Sequence, residues 1–485
     1  MLKHTLLYMV AFALPGLLGF FSFSIYTRLL TPSEYGVYSV GASMAFLIGN
    51  ISYGWIRFSI ARFQAEAHET NFVPFALICF AVTTLFVAPI VVGGGILVSG
   101  EASVVVLAIL AMAIAQALFE ITQEMRRARH QSGAFARTTI GRSLLSFSIS
   151  VTLAFLYARG SMLLIGIAAG FAVMALTFFA AQGQGSAARS GDQNPLETRH
   201  IRRFLRYGMP LALSGLVFSG NSTLVRLLVG GVLGAEAVGH FGAALDVTSQ
   251  LCGILAGSVT SIMGPLAIAA YRRGGAAEAQ RELRSGVVLF LGILMPALAG
   301  VAVVAHPFAE VISGAAFEGT VGALLPLLAL SRGLNVFAQY YLHLGFQLVE
   351  KPIRQVVCGG ATLVTNILLN LVLTRYFGLM GAVWALVISD LVGVVVSFIL
   401  LRPVFAMPLP ARPIGLIVIT TAAMALSCAL LQEAMRGASA MTHLAATIPT
   451  GILVYASLGY VLDIGSVRSK NMIVRGIDAA LKRFR

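Results

Sequence analysis

Several charged and amide side chains stand inside long apolar stretches of this 485-residue sequence. The longest set is Arg332, Asn335, Gln339 and His343, whose spacing of three and four residues places them on one face of a helix. Polar side chains in a membrane helix are costly, so they usually face a bundle interior or a water-filled cavity. Four polar positions on one face favour a polar cavity over a single structural ion pair.

Shorter polar sets recur elsewhere. Asn50, Tyr53 and Arg57 share one helical face. We interpret Glu120 and Asp246 as coupling or gating acids, with the alternative that each only neutralises an arginine on a neighbouring helix. The side chains predicted to contact a ligand are Arg28, Arg57, Arg226, Arg332, Asn50, Tyr53, Asn221, Gln250, Asn335 and Gln339.

The composition is typical of a membrane protein. The chain is 58% hydrophobic and 11% charged, whereas a soluble domain carries about 25% charged residues. The net charge of +14 does not indicate nucleic acid, because Lys and Arg concentrate in the cytoplasmic loops of membrane proteins. The four cysteines lie singly in apolar runs, which indicates packing residues rather than a metal site. A GK[ST] phosphate loop, an HExxH motif and a GxSxG nucleophile elbow are all missing from the sequence, so we expect a transporter without a cofactor rather than an enzyme.

Runs of about 20 apolar residues are long enough to cross a bilayer as helices, and they predict an all-α polytopic membrane protein with about fourteen spans. The predicted spans are 5–27, 37–60, 74–98, 102–121, 138–158, 161–181, 207–231, 240–264, 286–308, 321–345, 354–375, 379–401, 414–431 and 444–463. Placing the N-terminus in the cytoplasm puts most of the 33 Lys and Arg residues on that side. This asymmetry predicts that both termini are cytoplasmic.

An internal repeat divides the predicted spans. The first and seventh spans each have an early proline (Pro15, Pro210) and an Arg-Leu-Leu near the outer end (from Arg28 and Arg226). Six spans per repeat make the two copies parallel. The predicted divisions are an N-terminal lobe (1–181), a cytoplasmic linker (182–206), a C-terminal lobe (207–401) and a last segment with spans 13 and 14 and a basic tail (402–485).

The connection between the first two spans has a helix-start signature. Thr31 can cap the helix, Pro32 suits its first position, and Glu34 can complete a capping box by reaching back to Thr31. The second helix is therefore predicted to begin at Pro32, with Gly36 allowing close packing of spans 1 and 2.

The same stretch, "YTRLLTPSEYGVYSV" from residue 26 to residue 40, resembles the Wzx-type flippases of the polysaccharide transporter family. That family shares a superfamily with MATE multidrug extruders and lipid II flippases. Its pattern R-x-L-x-P-x-x-Y/F-G-x-Y/F is matched by Arg28, Leu30, Pro32, Tyr35, Gly36 and Tyr38. Segments 375–390 and 225–247 resemble two further family segments, although the family often has an acidic residue where this chain has Val225.

The resemblance implies two six-helix lobes around a central cavity lined mainly by spans 1, 2, 7 and 8. It implies alternating access that moves a polyprenyl-diphosphate-linked oligosaccharide from the inner to the outer leaflet of the bacterial inner membrane. The glycan would be a repeat unit of O-antigen, capsule or exopolysaccharide. Arginine offers paired donors for a diphosphate, and amides and aromatic rings suit sugars. The expected partners are this lipid-linked substrate, membrane lipids, and a polymerase and glycosyltransferases of the same pathway.

The sequence leaves two alternative functions open. A cation-coupled multidrug exporter of the same fold would need acidic residues in the N-terminal lobe, and spans 1 to 3 contain none. A membrane glycan polymerase or ligase would need a large outer loop, whereas the longest predicted one covers only residues 309–320.

Overall fold

The computed structural model describes residues 2–63, 72–99, 103–129, 131–183 and 198–463, and these residues are almost entirely helical. A π turn (Ala338–Leu342) joins α10 to α11. The helices are α1 (Leu2–Leu29), α2 (Pro32–Phe63), α3 (Phe72–Ser99), α4 (Val104–Ala128), α5 (Ser132–Tyr157), α6 (Gly160–Gly183), α7 (Thr198–Leu233), α8 (Ala235–Val303), α9 (Ala305–Ile312), α10 (Glu318–Phe337), α11 (His343–Leu348), α12 (Pro352–Leu401), α13 (Ala411–Ala434) and α14 (Ala440–Val461).

Two of these helices are bent and each supplies two of the predicted spans. Gly275 in α8 has φ 67° and ψ −155°, and Gly378 in α12 has φ 58° and ψ −140°. Only glycine adopts such angles without strain, so each bend falls at a glycine. α10, the π turn and α11 form one continuous helical run, and α9 has only 8 residues. With α8 and α12 each counted as two helices, the described chain has fourteen long helices. The number of long helices matches the fourteen predicted spans.

By length and composition, nine helices of the described chain qualify as membrane-crossing segments. The two longest segments, Met263–Val303 and Ile353–Leu401, lie in the bent helices α8 and α12. Each is about twice the length that one crossing of the bilayer needs. The chain is therefore a multi-pass membrane protein. All four cysteines are buried in helices, as the sequence predicts.

The helices group into two compact units. Unit 1 contains Met1–Ala243 and Asn370–Leu379, and unit 2 contains Ala244–Leu369 and Met380–Arg485. Of the predicted cytoplasmic linker, residues 184–197 lie outside the described part of the chain, and α7 already begins at Thr198. The predicted lobe limits remain a prediction.

In unit 1, α2 and α7 lie side by side along most of their lengths. Ser59 Oγ donates to the Phe204 carbonyl at 3.0 Å, and Thr223 Oγ1 donates to the Ser43 carbonyl at 3.1 Å. The residue number falls along α2 as it rises along α7, so the two helices are antiparallel. These helices correspond to predicted spans 2 and 7. Spans whose numbers differ by an odd number cross the membrane in opposite directions, so the antiparallel pairing agrees with the predicted order of spans.

The start of α2 also organises unit 1. The helix begins at Pro32, as predicted, and Thr31 Oγ1 accepts the Glu34 backbone N–H at 3.3 Å. The second half of the predicted capping box is wrong, because the Glu34 carboxylate accepts the backbone N–H of Gly160 at 2.7 Å instead. Gly160 is the first residue of α6, where a carboxylate is favoured by the helix dipole. Glu34 therefore ties two helix starts together.

Gly36 packs against α8, and the predicted contact with the first span is wrong. A Cβ added at Gly36 would collide with the Ala235 carbonyl oxygen and would lie 3.1 Å from the Gly239 nitrogen. A Cβ added at Gly239 would collide with the Pro32 carbonyl oxygen. The two backbones meet with no room for a side chain on either side.

In unit 2, side chains of α8 and of the π turn bind the connection between α12 and α13. Gln280 of α8 donates to the Ala406 carbonyl at 2.9 Å, and Tyr341 of the π turn donates to the Pro408 carbonyl at 2.5 Å. Arg354 donates to the Leu400 carbonyl at the end of α12 at 2.7 Å. These bonds satisfy carbonyl groups that the helix end and the loop leave unpaired.

Candidate ligand-binding site

A polar cluster in unit 1 joins α2 to α4. Arg57 of α2 forms an ion pair with Glu120 of α4. Arg57 Nη2 also donates to Asn50 Oδ1 at 3.3 Å, and Gln116 Nε2 donates to Glu120 Oε1 at 3.1 Å. The structure thus brings together three of the predicted site residues, Asn50, Arg57 and Glu120, and shows that the acid neutralises an arginine on a neighbouring helix.

A second arginine, which sequence reasoning missed, belongs to the same cluster. Arg142 of α5 lies over the Phe171 ring at 4.8 Å and the Phe119 ring at 5.7 Å. Its guanidinium also interacts electrostatically with Glu120. The sequence around Arg142 gives no sign of an acid on α4. With two guanidinium groups and one carboxylate, the cluster carries net positive charge.

The unit 1 cluster is neither fully buried nor at a helix end. The Arg57 and Glu120 side chains are 25% and 30% exposed. From the rise of an α-helix, Arg57 lies about 9 Å before the end of α2 at Phe63, and Glu120 about 12 Å before the end of α4 at Ala128. Both helices end on the side that the charge pattern predicts to be cytoplasmic. A partly exposed, positively charged group at this depth can donate to an anion.

A second polar cluster lies in unit 2, near the middle of the run from Glu318 to Leu348. Asp390 of α12 accepts from Ser331 Oγ at 2.5 Å and from Asn335 Nδ2 at 3.0 Å, and Arg332 Nη2 lies 3.6 Å from its carboxylate. Gln339 donates to Asn335 at 2.9 Å. The predicted polar stripe therefore shares one face, and its acidic partner Asp390 was not among the predicted ligand contacts.

The stripe continues to His343, which is hydrogen-bonded to Ser397 at 3.3 Å. Asp390 and Ser397 are seven residues apart and lie on the same face of α12. The polar residues of α10 and α11 thus meet polar residues of α12 in register, and both helices run in the same direction. They correspond to predicted spans 10 and 12, which should cross the membrane in the same direction because their numbers differ by two.

The remaining predicted arginines lie in different surroundings from one another. Arg28, near the end of α1, is exposed and donates to the Ser24 carbonyl at 2.9 Å. Arg226 is buried in α7, where Nε donates to Ser39 Oγ of α2 at 2.9 Å. Of the two arginines matched in the predicted repeat, Arg28 is therefore exposed and Arg226 is buried. Arg226 helps to hold α7 on α2.

The other predicted residues are spread over three helices. Tyr53 is buried against α3, with its ring 5.1 Å from that of Phe80 and its hydroxyl 3.0 Å from Thr84 Oγ1. Asn221 has a buried Oδ1 without a hydrogen-bond partner in the described chain. Asp246 and Gln250 are half-buried on α8, one helical turn apart. Their roles as ligand contacts or coupling groups stay predictions.

Comparison with known families decides where this helical protein belongs. Residues 25–322, more than half of the chain, match the family model described as "Polysaccharide biosynthesis protein". The chain belongs to this family. No curated protein matches the chain.

Solved structures show which fold this polysaccharide biosynthesis protein adopts. It is similar to the lipid II flippase MurJ in an inward closed conformation, with a TM-score of 0.79 at 14% identity over 96% of this chain and 100% of that one. It is also similar to an inward-facing MATE family multidrug transporter of the MOP superfamily (TM-score 0.54, 17% identity, 81% of this chain and 97% of that one). A MOP superfamily transporter from Pyrococcus furiosus gives a TM-score of 0.50 at 14% identity, over 83% and 95% of the two chains. The fold is that of the MurJ and MATE transporters, and the predicted all-α polytopic fold class is confirmed. The cytoplasmic location of both termini stays a prediction.

Proposed function

We propose that this protein is a flippase that moves a polyprenyl-diphosphate-linked oligosaccharide from the inner to the outer leaflet of the bacterial inner membrane. Its family is one of polysaccharide biosynthesis, and its fold is shared with a lipid II flippase. The cargo in this proposal is a repeat unit of a surface polysaccharide, made and polymerised by separate enzymes of the same pathway. Transport proceeds by alternating access of the two lobes.

The observation that carries the proposal is the cluster of Arg57, Asn50, Gln116, Glu120 and Arg142 inside apolar helices. A diphosphate is a multiply charged anion, and guanidinium groups bind such anions through paired N–H donors. The flanking amides can donate to and accept from sugar hydroxyls. The apolar tail needs no polar site, since it can stay in the lipid.

The proposal predicts a specific defect in cells that lack the protein. Surface polysaccharide should be lost, and the lipid-linked oligosaccharide should accumulate with its glycan facing the cytoplasm, because synthesis continues while translocation stops. Extraction of the lipid-linked pool and labelling of the cell surface measure both quantities. Re-expression of the chain should restore both.

Two results would contradict the proposal. Unchanged surface polysaccharide without the protein would separate it from translocation of the glycan. Altered drug accumulation that follows a cation gradient, with normal polysaccharide, would instead identify a multidrug exporter.

A further inference from the structure

The ion pair of unit 2 is unequal in how its two members are held. The Asp390 carboxylate is 1% exposed and accepts close hydrogen bonds from Ser331 and Asn335. The Arg332 side chain is 14% exposed, and its nearest contact with the carboxylate is 3.6 Å, beyond ordinary hydrogen-bond distance. The arginine is the outer, loosely held member.

Arg332 is also short of hydrogen-bond acceptors. Its Nε is buried without a hydrogen-bond partner in the described chain. A guanidinium has five N–H donors, and a buried donor left unpaired is destabilising. Arg332 is therefore in a position where a second anion with several oxygens would bind more favourably than the carboxylate alone.

Asp390, by contrast, keeps its hydrogen bonds when Arg332 leaves. Ser331 and Asn335 together donate to both carboxylate oxygens. Gln339, within the π turn, holds the Asn335 side chain by donating to its Oδ1. The carboxylate is fixed by neutral donors, and the movement of Arg332 would not strip it of partners.

We propose that Asp390 is a stand-in anion, that is, the anionic partner of Arg332 whenever no substrate phosphate is bound. Without substrate, Arg332 pairs with Asp390. When substrate binds, one of its phosphate groups replaces Asp390 as the partner of the guanidinium and accepts two parallel N–H···O bonds. When the substrate leaves, Arg332 pairs with Asp390 again. This inference rests on the proposed function, since it assigns a phosphate group to the cargo. It makes Asp390 a positioning residue that sets substrate release.

The test measures anion binding to the purified full-length protein in lipid nanodiscs, with inorganic pyrophosphate and undecaprenyl diphosphate as separate probes. Arg332→Gln should weaken binding of both probes about tenfold, because it removes charge-assisted hydrogen bonds. Asp390→Asn should tighten binding about threefold or more, because it removes the competing carboxylate. Ser427→Ala on α13 is the control and should leave affinity unchanged, because the Ser427 hydroxyl donates to the Ala423 carbonyl of its own helix at 2.8 Å.

The outcomes separate this inference from the proposed function. If Asp390→Asn binds pyrophosphate no more tightly than the unaltered protein, the stand-in role is wrong. If the unaltered protein binds pyrophosphate with the expected order of variants but does not bind undecaprenyl diphosphate, the exchange stands and the lipid-linked cargo is wrong.

A second variant guards against loss of folding. Arg332→Lys keeps the charge beside Asp390 but loses the planar fork. We expect unchanged thermal stability and weaker pyrophosphate binding. A purely structural ion pair would give unchanged binding in this variant, and that result would overturn the proposal.

Discussion

Replacing Arg57 with alanine should abolish surface polysaccharide while the protein still accumulates in the membrane. Arg57 joins the Glu120 carboxylate to the Asn50 amide across two helices, and its side chain remains 25% exposed. Its removal takes away the donors that the proposed diphosphate needs, and we expect transport to fall more than about tenfold. Surface labelling of polysaccharide and immunoblotting of membranes measure the two quantities separately.

Three further variants show whether Arg57 acts on the substrate or only on the fold. Arg57→Lys keeps the charge without the bidentate fork and should transport poorly. Glu120→Gln leaves Arg57 in place and should retain more transport than Arg57→Ala. The matched control is Arg127→Ala, which breaks an exposed ion pair with Glu124 on α4; such pairs contribute about 0–1 kcal/mol to stability. Equal loss of transport in Arg57→Ala and Arg127→Ala would contradict a role for the cluster.

A methyl group added at Gly36 should destabilise the whole of unit 1. In Gly36→Ala the new Cβ would collide with the backbone carbonyl of Ala235, which cannot rotate away as a side-chain end could. Overpacking of this kind costs about 1–3 kcal/mol. Gly239→Ala should behave alike, because its Cβ would meet the Pro32 carbonyl oxygen. We expect both variants to unfold at lower temperature in a fluorescence-detected thermal shift.

Gly231→Ala is the control for this prediction. Gly231 also lies in a helix, but nothing lies within 4 Å of an added Cβ. Alanine favours the helix by about 1 kcal/mol over glycine, so this variant should be as stable as the unaltered protein or more so. Equal melting temperatures for Gly36→Ala and Gly231→Ala would mean that α2 and α8 are not in close backbone contact.

Local signals predicted much of this fold. The lengths of the apolar runs predicted fourteen spans, because each helix that crosses the bilayer needs about 20 apolar residues of its own. The residues Thr31 and Pro32 predicted the start of α2, since capping depends on neighbours only a few positions apart. The common face of Arg332, Asn335 and Gln339 follows from helical spacing alone.

Partners distant in sequence could not be predicted in the same way. Helical spacing shows which residues share a face, but it does not show which helix lies opposite. For this reason Glu34 was assigned to its own helix rather than to Gly160, and Gly36 to α1 rather than to α8. Arg142 was missed because its position over the Phe119 ring of α4 depends on how α4 and α5 are rotated relative to each other.

The most direct test of the account is translocation by the purified full-length protein in proteoliposomes that contain an undecaprenyl-diphosphate-linked oligosaccharide. A membrane-impermeant glycosidase added outside reports the fraction of glycan in the outer leaflet over time. We predict that the unaltered protein exposes nearly all of the glycan, while liposomes with Arg57→Ala expose no more than the fraction present at the start. Equal exposure by the unaltered protein, by Arg57→Ala and by protein-free liposomes would contradict it.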